Sequence, residues 1–138
     1  GPPRGTQNLP YFHYWHGMAL LAAGNCGGRD ALAKAVAIQP NWGEAHVALT
    51  RADVVCGNAR AAAARARALY KVQQNDDIRI SLAMAEMASG NSKAAARLAG
   101  EALPNPDAVM VLEALKRGVT LERPFARESA WWVPPEVR

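Results

Sequence analysis

The chain has 138 residues, among them 29 Ala, 11 Gly and 9 Pro, and carries a formal net charge of +4. Half of it is apolar, yet no apolar run nears the ~18–20 residues of a membrane span, so a disordered tail and a transmembrane helix are both excluded for this segment. The mild positive charge permits an anionic partner without requiring one, and the two cysteines, Cys26 and Cys56, are too few for a disulfide framework or a four-ligand zinc site.

The chain opens on Gly1-Pro2, which looks like the scar of a protease cut, and no signal-peptide pattern follows. Residues 1–9 are therefore expected to be scar and linker. Beyond them a Gly-Asn pair recurs at Gly24-Asn25, Gly57-Asn58 and Gly90-Asn91, a spacing of 33 residues taken twice. Shifting the chain by that step aligns Ala19, Ala52 and Ala85. It also aligns His16 with Leu49 and Leu82, Phe12 with Ala45 and Ile78, Ala33 with Ala66 and Ala99, and Pro40 with Pro106 two steps on. Three units follow, at about 10–42, 43–75 and 76–106, each read as two helices. In the first, Gly27 and Gly28 predict a looser turn. In the second, Ala45, Leu49, Ala52 and Cys56 fall on one helical face. Gly57 then stops the helix, Asn58 is the expected N-cap of the next, and the second helix, about 59–73, carries Ala62, Ala66, Leu69 and Tyr70. Pro40 and Pro106 are read as ending second helices. A closing helix is expected over 107–118, with Asp107 as its N-cap and Val111, Leu112 and Leu115 on its apolar side. The rest, from 119, holds Trp131, Trp132 and Val133 among prolines. It is read as an extended tail docked on the last unit, with one helical turn at 125–130. No stretch alternates with period two, so the expected fold is all-α, an α-solenoid.

These residues resemble the tetratricopeptide repeat (TPR) family over about residues 10–118. Gly24, Gly57 and Gly90 match its turn glycine, Ala62 and Ala95 its first helix-B alanine, and Leu49 and Leu82 its helix-A leucine. Gly17 matches the small residue after that leucine, and Pro40 and Pro106 its terminal proline. The departures are His13, His46 and Arg79 where the family has an aromatic residue, and Leu20, Asp53 and Glu86 where it has a tyrosine. The step is also one residue short of the family's ~34. Ankyrin repeats share a step of ~33, but their Thr-Pro-Leu-His motif is missing. The resemblance implies a right-handed superhelix whose first helices line a concave groove, and a protein-binding module rather than an enzyme, with no cofactor.

On that reading a second stripe on the first helices forms the groove wall: Tyr14, Met18 and Leu21 in unit one, Val47, Arg51 and Val54 in unit two, Ile80, Met84 and Met87 in unit three, with Tyr11 and Trp15 beside them. Such a wall would take a peptide or helical segment of a protein partner by its apolar anchors, and Arg51 would meet a carboxylate. The competing reading makes the stripe core. The aromatic run Tyr11 to His16 offers a further surface for a parent protein or a second copy, since an array's first helix normally carries a polar outer face.

Other chemistry is weaker. His13 and His16 share a helix face, but His46, the repeat mate of His13, lies on the next first helix, too far for a shared ion. Metal is not expected. Cys26 and Cys56 fall at turns on one edge, so a disulfide is geometrically open and would imply an oxidising compartment; two half-buried thiols are the expected state. Lys34, Arg60, Arg65, Arg67, Lys71, Lys93 and Arg97 gather on second helices. They read as a solvated face, with nucleic-acid binding as the sharper and less expected meaning. The Ala and Arg content suggests a GC-rich bacterial source, in cytoplasm or envelope. A protein-binding scaffold is thus expected, and an accessory domain docking within a larger envelope or enzyme assembly is the alternative.

Overall fold

Seven helices and no strand make up the described part of the chain, residues 9–118 of a computed structural model. The expectations for the cleavage scar and for the tail with Trp131 and Trp132 lie outside the described residues. The helices are α1 (Pro10–Ala22), α2 (Gly28–Ile38), α3 (Gly43–Val55), α4 (Ala59–Val72), α5 (Asp76–Ala88), α6 (Ser92–Glu101) and α7 (Pro106–Arg117).

The Gly-Asn pairs earn their place in the sequence by ending α1, α3 and α5 in one way. Gly24, Gly57 and Gly90 have φ of +79°, +87° and +88°, the left-handed region that glycine enters without a Cβ penalty. The amide of the following asparagine then reaches back five residues. Asn25 donates to the Leu20 carbonyl at 2.9 Å, Asn58 to Asp53 at 2.7 Å and Asn91 to Glu86 at 2.8 Å. This is the Schellman closure, which satisfies carbonyls that a helix end would otherwise strand.

The starts of the helices differ from expectation in two places. Asn58 stands at the head of α4, but its side chain caps nothing there; its Nδ2 donates to the Cys56 carbonyl at 3.5 Å. Asn105, not Asp107, caps α7: its Oδ1 accepts from the Asp107 amide at 2.9 Å. Pro106 therefore opens α7 instead of closing α6, and at the first helical position its missing N–H costs nothing. The first turn, 23–27, is longer than 56–58 and 89–91. Gly28 itself serves a close approach: a Cβ there would stand 2.4 Å from the Gly17 carbonyl oxygen, and one on Gly17 would stand 2.7 Å from the Gly28 oxygen. These two glycines let the backbones of α1 and α2 touch.

Every substantial helix contact joins neighbours or next-but-one neighbours in the chain. α3 packs on α2, α4 and α5, α5 on α3, α4, α6 and α7, and α1 on α2 with a lighter contact to α3. With neighbours on several sides, α3 is buried continuously from Ala45 to Asp53 and α5 from Ile80 to Glu86. A continuous core runs through Tyr14, Leu21, Leu32, Leu49, Ile80, Leu82, Met84, Leu98 and Val111. Each such large side chain contributes roughly 1.5–3 kcal/mol by leaving water. The alanines of the second helices allow near contact, as where Ala62 and Ala63 of α4 meet Ala85 of α5. No helix among the described residues is long and apolar enough to cross a membrane.

Candidate functional site

The eleven residues expected to line a groove separate sharply by burial. Tyr14, Met18, Leu21, Val47, Arg51, Ile80 and Met84 are buried. Val54 and Met87 are half-buried against the core. Tyr11 and Trp15 alone are open, at 59% and 55% exposure. An open wall at Ile80 and Met84 is thereby corrected. Spacing says which side chains share a helix face; it does not say whether water or another element lies opposite.

Arg51 has likewise been spent. Fully buried on α3, it donates from Nε to Ser81 Oγ of α5 at 3.0 Å and sets Nη1 3.2 Å from Asp107 Oδ2 of α7. A buried guanidinium needs such partners to offset its desolvation, and here they tie three helices together.

Asp53 and Glu86 do what the sequence did not reveal. The fully buried Asp53 takes Arg29 Nε of α2 at 2.5 Å and Arg65 Nη1 of α4 at 2.9 Å, so a carboxylate on α3 pins the helices on either side. Its hydrogen bond raises the pKa of Arg29. On α5, Glu86 accepts from both Nε and Nη2 of Arg67 and from Asn91 Nδ2 at 3.1 Å. Burial pushes the Glu86 carboxyl up, but the hydrogen bonds from Arg67 and Asn91, with the charges of Arg67 and Arg97, outweigh it and hold the pKa below the usual value. A signal was present in the sequence: two acids one repeat step apart, flanked by arginine-bearing helices.

This pairing thins the basic face. Arg65 and Arg67 answer to buried carboxylates and Arg97 stands 3.9 Å from the exposed Glu101, while Lys34, Arg60, Lys71 and Lys93 remain exposed. Among the histidines, His46 donates from Nε2 to the Pro40 carbonyl at 2.7 Å, His13 is buried, and His16 is open with its ring stacked on Phe12 at 5.7 Å. No group of three metal-ligating side chains forms among the described residues. The cysteines overturn the expectation of free thiols. Cys26, in the turn after α1, and Cys56, at the end of α3, form a disulfide with Cα atoms 5.9 Å apart. The packing of α2 on both α1 and α3 brings those two helix ends together.

The open surface with the strongest chemical character is the outer face of α1. This helix, Pro10–Ala22, contains no Asp, Glu, Lys or Arg. Its inner side, His13, Tyr14, Gly17, Met18 and Leu21, is buried. Its outer arc consists of Tyr11, half-buried Phe12, Trp15, His16, Ala19 and Ala22. Aromatic rings fill the first half of that arc and alanines the second. Trp42, in the link before α3, holds the aromatic half in place: its ring centroid lies 5.1 Å from Tyr11 and 4.8 Å from Tyr14, and Tyr14 stands 5.0 Å from Trp15. An uncharged, apolar helix is ordinarily buried on all sides, and a contiguous exposed aromatic patch marks a contact surface.

No protein-family model, curated protein or solved structure matches this chain.

Proposed function

We propose that this chain is a protein-interaction scaffold, a TPR-like solenoid of three helical hairpins closed by α7, and that it performs no chemistry of its own. The thrice-repeated Schellman closure at Gly24, Gly57 and Gly90 supports a repeating hairpin. Contacts confined to near neighbours support a stack, because stacked repeats touch only the units beside them. The observation that carries the binding reading is the open, uncharged aromatic face of α1. It takes the place of the inner wall, whose residues are buried or half-buried. Trp and Tyr presented on a pre-ordered surface are the side chains that dominate protein interfaces. The disulfide supports work in an oxidising compartment such as a bacterial envelope.

The test is site-specific photo-crosslinking in an envelope extract of the source organism. A photoreactive amino acid replaces Trp15 in one variant and the exposed Lys93 of α6 in another. A protein adduct at position 15 that is absent at position 93 is the expected result. Adducts at position 93 alone, or retention of random RNA that falls steeply with salt, would overturn the reading.

A further inference from the structure

We infer that the partner of the α1 face is a second copy of this chain, docked antiparallel to it about a two-fold axis at the level of Gly17. The inference rests on the reading of that face as the contact surface and names what covers it.

The face is complementary to itself. At 100° per residue, Tyr11, Trp15, Ala19 and Ala22 fall within one quarter of the helix circumference, and all of them are exposed. The bulky residues belong to the first two turns and the small ones to the last two. In a parallel pairing rings would meet rings and leave the alanines facing a gap. In an antiparallel pairing about Gly17, Trp15 of one copy lies over Ala19 of the other, Phe12 over Ala22, and Tyr11 over the exposed Ala23. A two-fold contact has this property by necessity, since each residue meets its counterpart twice. Large side chains opposite small ones are what bring two helices to a spacing of ~8–10 Å.

The electrostatics agree. With no ionised carboxylate, ammonium or guanidinium on α1, the pairing buries no lone charge and opposes no like charges. Antiparallel helices also set opposite dipole ends side by side. The area is sufficient for a weak dimer. Tyr11 at 59%, Trp15 at 55% and Leu9 at 50% exposure leave on the order of 300 Å² of largely apolar surface per copy. With Phe12, His16 and the opposing alanines, the total over both copies approaches the ~1,000 Å² at which specific interfaces begin. Interfaces at this lower end of the size range belong to weak, transient associations, so the dimer should form and dissociate with concentration.

Sedimentation velocity on the full, oxidised chain, from low micromolar to hundreds of micromolar, tests this. A concentration-dependent dimer is expected. Trp15→Ala should weaken it at least about tenfold. Ala19→Trp should weaken it as well, because the added ring occupies the seat of Trp15, whereas unspecific stickiness would strengthen with added apolar surface. Both positions are exposed, and circular dichroism is the check that the variants remain helical. A chain that stays monomeric, or a dimer that either substitution leaves intact or tightens, overturns the inference. If the chain is monomeric while a photoreactive residue at position 15 captures a different protein, the second copy is ruled out and the scaffold reading stands. If Trp15 instead governs binding to neutral lipid vesicles, both fall.

Discussion

Replacing Gly17 with alanine tests the contact on which the placement of α1 depends. The new methyl would stand 2.7 Å from the Gly28 carbonyl oxygen, 2.9 Å from Leu32 Cγ and 3.2 Å from the Leu32 amide nitrogen. Two of those three atoms are backbone, so no rotamer change relieves the clash and α1 must retreat from α2. A gap of a good fraction of an ångström forfeits a quarter to a half of each dispersion contact it opens, and Tyr14, Met18 and Leu21 all pack from this side of α1 into the core. Overpacking of this kind costs ~1–3 kcal/mol, with the upper end apt where backbone blocks relief. Alanine returns about 1 kcal/mol of helix propensity. The net expectation is a loss of roughly 1–2 kcal/mol, or roughly 3–9 °C in melting temperature for a domain near this size. Gly100→Ala is the matched control. Gly100 lies within α6, exposed, with no atom within 4 Å of its would-be Cβ, so alanine there should add about 0.5–1 kcal/mol. Urea denaturation followed by far-ultraviolet circular dichroism, with the disulfide intact in both, separates the two. If Gly17→Ala proves as stable as the parent chain, α1 does not lie where its backbone meets that of α2.

Reducing the disulfide opens a loop with a sequence separation of 30, and the chain-entropy relation gives a loss of about 3–4 kcal/mol; a urea midpoint unmoved by reductant would exclude the pairing. Asp53→Asn removes the shared counter-ion of Arg29 and Arg65 from a fully buried site and should destabilise by ~3 kcal/mol, whereas Arg60→Gln on the exposed side of α4 should change thermal stability by less than ~0.5 kcal/mol. Because the folded pKa of Glu86 lies below its ordinary 4.5, its ionised form adds stability above that value and loses it as the pH falls through the lowered one. Glu86→Gln should therefore flatten the acid limb of the stability–pH curve below about 4.5 and leave the slope near neutrality unchanged.

The sequence made the helix ends most legible, because a Gly-Asn pair has few uses other than a left-handed closure and its backbone bonds are local. Ala45, Leu49 and Ala52 were equally plain: one face, small side chains, and burial in the structure. The sequence is silent where the answer lies across space. Spacing puts Ile80, Met84 and Val47 on one stripe of the first helices but does not tell what stands opposite, and all three are buried. Arg51 looked available because Asp107, its partner, is remote in the chain and was occupied in a different expectation, that of an N-cap. The pairing of Cys26 with Cys56 depended on how α2 sits between α1 and α3. The aromatic run of α1 was visible as a feature. Which of its rings turn outward was set by the Gly17–Gly28 contact.

The staple between Cys26 and Cys56 encloses α2 and α3 and nothing else. If the molecule is pulled from its two ends, tension bypasses that stretch through the sulfur atoms, and about 100 Å of contour stays hidden from the load. Helices α1 and α4 to α7 have no such shunt, since the chain holds only two cysteines. Extension therefore comes from the helices on either side of the staple, and α2 and α3 keep their contour out of reach however far those flanks are drawn out.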